Sequence, residues 1–207
     1  LKVLLAHGTV SQLGFLVAVF GIGTDEAISA GTVMLVAHGL FKASAFFAVG
    51  IVDHQFGTRH VDELPRLPLF RDRTASGWLL SDRLAVAASA SMAGIPLLLG
   101  FIAKEGAIRA VIHDAPPALA AVAVGSALTA GYSYRFAWGI LGRDASRPVA
   151  VDPARVPPSR VLVLPPLVLG ALTVVGGVWP ATLDQLTHSH LSLWHGFDTT
   201  LLVSAAV

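Results

Sequence analysis

Apolar residues run in long stretches along this chain, and polar residues gather between them. Five stretches, at roughly 3–22, 27–52, 84–112, 117–141 and 161–179, are long enough to cross a bilayer as helices, and another begins at 201. A hydrocarbon core about 30 Å thick takes about 20 residues of helix. Unpaired backbone groups are too costly in lipid for an open alternative. A β-barrel would read as segments of about ten residues in strict alternation. These stretches do not alternate, and Ala, Gly and Ser are spread through them, the small residues that let membrane helices approach closely. The pattern predicts an all-α, polytopic transmembrane helix bundle. We read residues 1–207 as one partial transmembrane domain of a longer protein. Leu1 opens without the charged region of a signal peptide, and the run Leu201-Leu202-Val203 begins a new apolar segment close to the last residue.

The connections differ in charge, and this gives the bundle a direction. The loop 53–83 holds Arg59, Arg66, Arg71, Arg73 and Arg83, and the loop 142–160 holds Arg143, Arg147, Arg155 and Arg160. Nine of the 14 basic residues therefore sit in two loops separated by two helices, on one side. The opposite connections (23–26, 113–116 and 180–200) carry no Lys or Arg, but Asp25, Glu26, Asp114, Asp184 and several His. The excess of basic residues in cytoplasmic loops then places 53–83 and 142–160 in the cytoplasm. Pro65 and Pro68 in the first loop, and Pro148, Pro153, Pro157 and Pro158 in the second, read as extended surface linkers.

Composition narrows the class. The chain is 54% hydrophobic, only 13% charged and has a mean hydropathy of +0.70. Soluble domains carry about 25% charged residues, so a disordered chain, a basic nucleic-acid-binding domain and an ordinary soluble enzyme are excluded. With no cysteine there is no disulfide framework, thiolate nucleophile or cysteine metal site. No cofactor is expected and no nucleic acid. Four Trp near segment ends (Trp78, Trp138, Trp179 and Trp194) suit interfacial belts.

Against that scarcity, three polar features stand inside apolar stretches. Lys42 lies near the middle of 27–52, with His38 one turn earlier on the same face. A central Lys costs about 2.5–3.5 kcal/mol on insertion scales, so its presence points to function, and a protonatable imidazole beside an ammonium makes a proton step in which each site feels the other's charge. Lys104 and Glu105 follow a helix break signalled by Gly94, Pro96 and Gly100. Pro96 removes a backbone donor, and broken helices at membrane depth line cavities and mark ion sites. His7 sits in the polar run His7-Gly8-Thr9-Val10-Ser11-Gln12. The structural alternatives are a lysine paired with a carboxylate to orient helices, an interfacial ion pair at a helix end, and a packing histidine. Other signals carry little. Gly21-Ile22-Gly23 lacks the third glycine of a dinucleotide loop, and His188, His190 and His195 lack ligand partners at metal spacing, so no metal site is expected.

These residues resemble a family. Leu1-Lys2-Val3-Leu4-Leu5-Ala6-His7-Gly8-Thr9-Val10-Ser11-Gln12-Leu13-Gly14 is similar to the K-x-x-L-A-Y-S-T-x-S-Q-x-G stretch of antiporter-like membrane subunits, the superfamily of the large subunits of Mrp-type cation/proton antiporters and of the proton-pumping arm of respiratory complex I. Ala37-His38-Gly39-Leu40-Phe41-Lys42-Ala43 resembles its H-A-x-F-K-A motif, and Gly94-Ile95-Pro96 through Gly100-Phe101 to Lys104 resembles its broken helix. Gly50-Ile51-Val52-Asp53-His54-Gln55-Phe56-Gly57-Thr58-Arg59 and Leu193-Trp194-His195-Gly196-Phe197 resemble the A subunit of Mrp antiporters. Two departures stand out: His7-Gly8 replaces Tyr-Ser, and Met34 stands where complex I subunits often carry a second His.

The resemblance implies an antiporter-like subunit. Lys42 and Lys104 would lie on its central proton-conducting axis, with His38 one turn before the first, Glu105 near the exit and Lys2 at the start of the first helix. It implies a multi-pass protein of the cell membrane, a secondary transporter component rather than an enzyme. Its partners would be other subunits of the antiporter complex, membrane lipid, protons and a monovalent cation, Na⁺ foremost. The alternatives are a proton-translocating subunit of an NADH:quinone oxidoreductase or related hydrogenase complex, and a scaffold subunit whose lysines are locked in ion pairs.

Overall fold

A computed structural model of the chain describes residues 1–63, 86–140 and 159–179. These residues form helices α1 (Lys2–Gly21), α2 (Asp25–Phe56), α3 (86–93), α4 (Leu99–Asp114), α5 (Leu119–Ile140) and α6 (Arg160–Val178), with single 3₁₀ turns at Val61–Glu63 and Pro116–Ala118. The basic residues at 66, 71, 73, 83, 143, 147 and 155, the histidines at 188, 190 and 195, Trp78, Trp194 and the apolar start at 201 all lie outside the described residues.

The longest helix organises the rest. Thr24 caps the start of α2, its hydroxyl accepting from the Ala27 N–H at 3.3 Å, and Asp25 and Glu26 in the first turn suit the positive end of the helix dipole. At the other end Gly57 takes a left-handed conformation (φ 69°) and donates its N–H to the Asp53 carbonyl at 2.8 Å, the usual glycine stop. The helix thus runs on to Phe56, into the segment that hydropathy alone reads as loop. Arg59 then folds back on Asp53 at 2.8 Å. Between the caps, α2 packs against α1, α4 and α6. Its buried Ala27, Ala30, Ala37, Ala45 and Ala48 recur at helical spacing, so neighbouring backbones come close. Leu5 and Leu16 of α1, Leu99 and Ala103 of α4, and Phe136 and Ile140 of α5 complete the core around Phe41.

Three described helices are long and apolar enough to cross a membrane: Lys2–Gly21, Asp25–His54 and Val161–Val178. The stretch over 84–112 divides into α3 and α4, each too short to cross alone. α5 has the length, but Ser126, Thr129, Tyr132, Ser133 and Arg135 lower its hydropathy. Large apolar side chains face outward on α1 (Val3, Val10, Val17) and on α6 (Val161, Leu164, Leu172, Val175), the reverse of a water-facing surface.

The break between α3 and α4 is a close backbone contact, not a loose joint. Gly94 turns the chain at φ 81°, and Leu97 follows at φ 72°. The chain then re-enters helix so near to α3 that the Gly100 N–H donates to the Ser91 hydroxyl at 3.2 Å. A Cβ on Gly100 would lie 1.9 Å from the Ser91 carbonyl oxygen. α6 closes the other side: a Cβ on Gly177 would lie 2.4 Å from the Leu97 carbonyl oxygen and 2.6 Å from the Leu98 backbone.

Gly100→Ala is therefore expected to destabilise by about 1–3 kcal/mol, the scale of an overpacked contact that backbone must relieve. Gly39→Ala, whose Cβ meets nothing within 4 Å, is expected to be neutral or mildly stabilising. Unfolding midpoints of the two variants in the full-length protein compare them directly.

Candidate functional site

Two lysine side chains enter the interior from neighbouring helices. On α2, Lys42 is 4% exposed, and on α4, Lys104 is 8% exposed. Among the described residues no carboxylate lies within ion-pair distance of either amine. Lys42 instead donates to the Leu5 carbonyl at 3.2 Å, and its Nζ stands 4.8 Å from the centre of the Tyr132 ring. His38 is buried one turn earlier, edge-on to Phe41 with ring centres 5.5 Å apart. Its Nδ1 is buried and finds no hydrogen-bond partner among the described residues, and the same holds for the Tyr132 hydroxyl.

Lys104 reaches a cavity of about 290 Å³ lined by all five helices from α1 to α5. That is room for several water molecules. Its wall is mostly apolar, with Phe15, Met34, Phe41, Met92 and Val122 among its residues, and Ser11 and Gln12 of α1, Ser91 of α3, Lys104 of α4, and Ser126 and Thr129 of α5 place polar groups in it. None of the described lining residues is acidic. The break positions this lysine: Gly94 lies against its stem, where an added Cβ would stand 3.2 Å from the Lys104 Cδ.

Other sequence-selected residues are placed differently. Glu105 is buried on α4 and lies 3.7 Å from Arg109 one turn on. Lys2 and His7 are exposed on α1, whereas Leu5, Gly8 and Gln12 of that helix are buried. One residue turns an α-helix by about 100°, which puts His7 on a different side from Gly8 and away from the two amines. Ion pairing at the sequence-selected lysines, the requirement of the scaffold alternative, is not seen among the described residues. Gln12 and Ser91 stood in the polar run and the broken-helix motif without a role of their own, and Tyr132 escaped sequence reasoning. Their only signal is a polar residue in an apolar helix, and for Tyr132 that signal is shared with Tyr134, which is exposed beside Trp138.

At one end of the bundle a second polar group ties two connections. The Thr24 hydroxyl donates to Asp114 at 2.5 Å, and Asp114 lies 2.6 Å from His113 Nδ1. Glu26 joins them, the three ionisable groups lying within 4.8 Å of one another. His113 is exposed and Asp114 is already held by Thr24, so the cluster reads as a clasp between the α1–α2 and α4–α5 turns. The Asp114 carboxylate, and behind it Glu26, raise the His113 pKa above its ordinary value. His113 and Thr24 together lower that of Asp114.

The assembly is that of a membrane helix bundle: apolar helices around a break, with two buried amines and a cavity whose mostly apolar wall carries a few polar groups. Comparison with known proteins gives the family. The family described as NADH:quinone oxidoreductase/Mrp antiporter, transmembrane, matches residues 1–129, and the chain belongs to it. Within that family its similarity is to the A subunits of Mrp-type antiporters. It is 35% identical over 224 residues to the probable A/B subunit of a K(+)/H(+) antiporter from Rhizobium meliloti (strain 1021), covering 99% of this chain and 22% of the relative. It is 29% identical over 248 residues to the A subunit of the Na(+)/H(+) antiporter from Bacillus subtilis (strain 168), covering 100% of this chain and 30% of that relative. A chain in the structure of the Mrp complex from Dietzia sp. DQ12-45-1b matches with a TM-score of 0.76 and 38% identity, over 99% of this chain and 23% of that one. The chain thus spans less than a third of the length of these relatives.

The clasp gives a signed expectation. A raised folded-state pKa contributes stability that is full below the unfolded pKa of the imidazole and is lost as pH rises through the folded value. The difference in melting temperature between wild type and His113→Gln is therefore expected to be positive at acidic pH and to shrink towards alkaline pH. Thermal unfolding of both proteins across that range measures it.

Proposed function

We propose that this chain is the proton-conducting portion of the A subunit in a multisubunit antiporter of the cell membrane. It would exchange protons for a monovalent cation in the company of the other subunits. The observation that carries this reading is the pair of buried lysines, free of carboxylate partners among the described residues, one of them opening on a cavity with hydroxyl and amide groups in its mostly apolar wall. Intramembrane ionisable residues mark proton relays when they face water-filled space.

In this reading a proton passes along His38, Lys42 and Lys104, and Glu105 with Arg109 lies near the exit. The buried Nδ1 of His38, without a hydrogen-bond partner among the described residues, offers an exchange point one turn from Lys42. The hydroxyl and amide groups in the cavity wall can hold the water that joins Lys104 to the next group. Because like charges repel strongly at low dielectric, arrival of one proton drives the next one on. The basic loops 53–83 and 142–160 face the cytoplasm. His7 and Lys2, exposed on α1, would serve only through water or a partner. The relatives named for Na⁺ and for K⁺ exchange make both cations the ones to test, with Na⁺ the first choice.

The test is Lys104→Ala in the complete complex, with cation-dependent proton flux measured in vesicles under Na⁺ and under K⁺. Flux is expected to fall about tenfold or more while assembly is kept, as for a residue in a proton relay. Undiminished flux in a normally assembled complex overturns the role of Lys104.

A further inference from the structure

Lys42 sits in a seat that residue 8 makes possible. A Cβ on Gly8 would lie 2.7 Å from Tyr132 Cζ, 2.9 Å from Tyr132 Cε2 and 2.8 Å from Lys42 Nζ. All three are closer than non-bonded atoms approach, so the ammonium and the ring occupy the space that a side chain at position 8 would fill. Gly8 is itself buried. The result is an ammonium with a tyrosine face at 4.8 Å and a backbone carbonyl at 3.2 Å. The ring distance is inside the reach of about 6 Å for a cation–π contact.

The seat lies next to the cavity that holds Lys104. On α1, Gln12 follows Gly8 by one turn. On α5, Thr129 precedes Tyr132 by about one turn. On α2, Phe41 adjoins Lys42. Gln12, Thr129 and Phe41 all line the cavity. Tyr132, Gly8 and Lys42 do not themselves line the cavity, and Gln12 and Thr129 put its wall about one helical turn from the seat.

We propose that Tyr132 and Gly8 are positioning residues for Lys42. The Tyr132 ring and the Leu5 carbonyl hold the ammonium beside the cavity, and Gly8 keeps that place open. A carboxylate in the same position would bind the ammonium as a buried ion pair and leave a naked charge whenever the proton moved on. An aromatic face is a weaker and neutral partner. It attracts the ammonium and has far less hold on the neutral amine, so loss of the proton releases the side chain. The consequence for transport rests on the proton-relay reading above. The seat itself does not.

The experiment is a double-mutant cycle in the complete complex, read by thermal midpoint and by cation-dependent proton flux. Tyr132→Leu is expected to lower the midpoint and to cut flux about five- to thirtyfold, the range from an exposed to a desolvated cation–π contact. Tyr132→Phe, which keeps the ring, is expected to restore most of that loss. In a Lys42→Met background Tyr132→Leu is expected to lower the midpoint much less than it does in wild type. Where Tyr132→Leu does not assemble, Gly8→Ala takes its place: its loss of flux is expected, and its midpoint penalty is expected to shrink when Lys42→Met frees the crowded space. Additive effects of the paired substitutions overturn the seat, because Tyr132 would then be packing unrelated to Lys42. Equal damage from Tyr132→Phe and Tyr132→Leu also overturns it, because the hydroxyl and not the ring would matter. If Lys42→Met leaves flux intact, the relay reading fails on that result alone, and the midpoint coupling still decides the seat.

Discussion

Backbone packs on backbone where α3 gives way to α4, and the place of Lys104 follows from that contact. Gly100 lies against the Ser91 carbonyl and Gly177 against the Leu97 carbonyl, with no room for a methyl group at either. A helix interrupted at membrane depth leaves polar backbone that must be satisfied within the protein. Here Ser91 answers the Gly100 N–H, and α6 covers the turn from outside. The lysine four residues beyond Gly100 is thereby delivered into the interior along a rigid element. The same contact brings α3 and α4 together on the wall of the cavity, so the break builds the chamber and furnishes it with its cation.

The two amines solve one problem in different ways. Taking an ammonium out of water costs several kcal/mol unless other groups take over its hydration. Lys42 is given a carbonyl and an aromatic face. Lys104 is given a cavity whose mostly apolar wall carries hydroxyl and amide groups. Neither has a carboxylate among the described residues, whereas the exposed Arg59 and the half-buried Arg109 do. The two buried amines are met by neutral groups, whereas the buried Glu105 keeps Arg109 beside it.

Much of this could be read along the chain, and the limits of that reading are physical. Long apolar runs without alternation announce membrane helices, because in lipid no other local structure closes its own hydrogen bonds. Gly94 and Pro96 announce a break for reasons internal to the backbone. Gly100 and Gly8 are different, since their value lies in what approaches them. Ser91 reaches the first from nine residues away, and Tyr132 the second from across the bundle. Such contacts leave no periodic trace. His7 shows the converse: a polar residue in an apolar helix attracts notice, but one residue of helix rotation separates it from the buried side. Thr24 could be read as a cap, yet its bond to Asp114 joins residues 90 positions apart.

The length of α2 has a further meaning. Its 32 residues make a rod of about 48 Å at 1.5 Å per residue, well beyond the roughly 30 Å of a hydrocarbon core. Both ends carry ionic groups, Asp25 and Glu26 at one and Asp53 and His54 at the other, so the surplus belongs in the headgroup layers on both sides. With the rod centred in this way, about 26 Å of helix separate Lys42 from Asp25 and about 21 Å separate it from Phe56. The helix acts as a depth gauge. It sets the amine close to the bilayer midplane, beyond the reach of its own side chain to either surface, and leaves the interior of the protein as the only place where its charge can be shared.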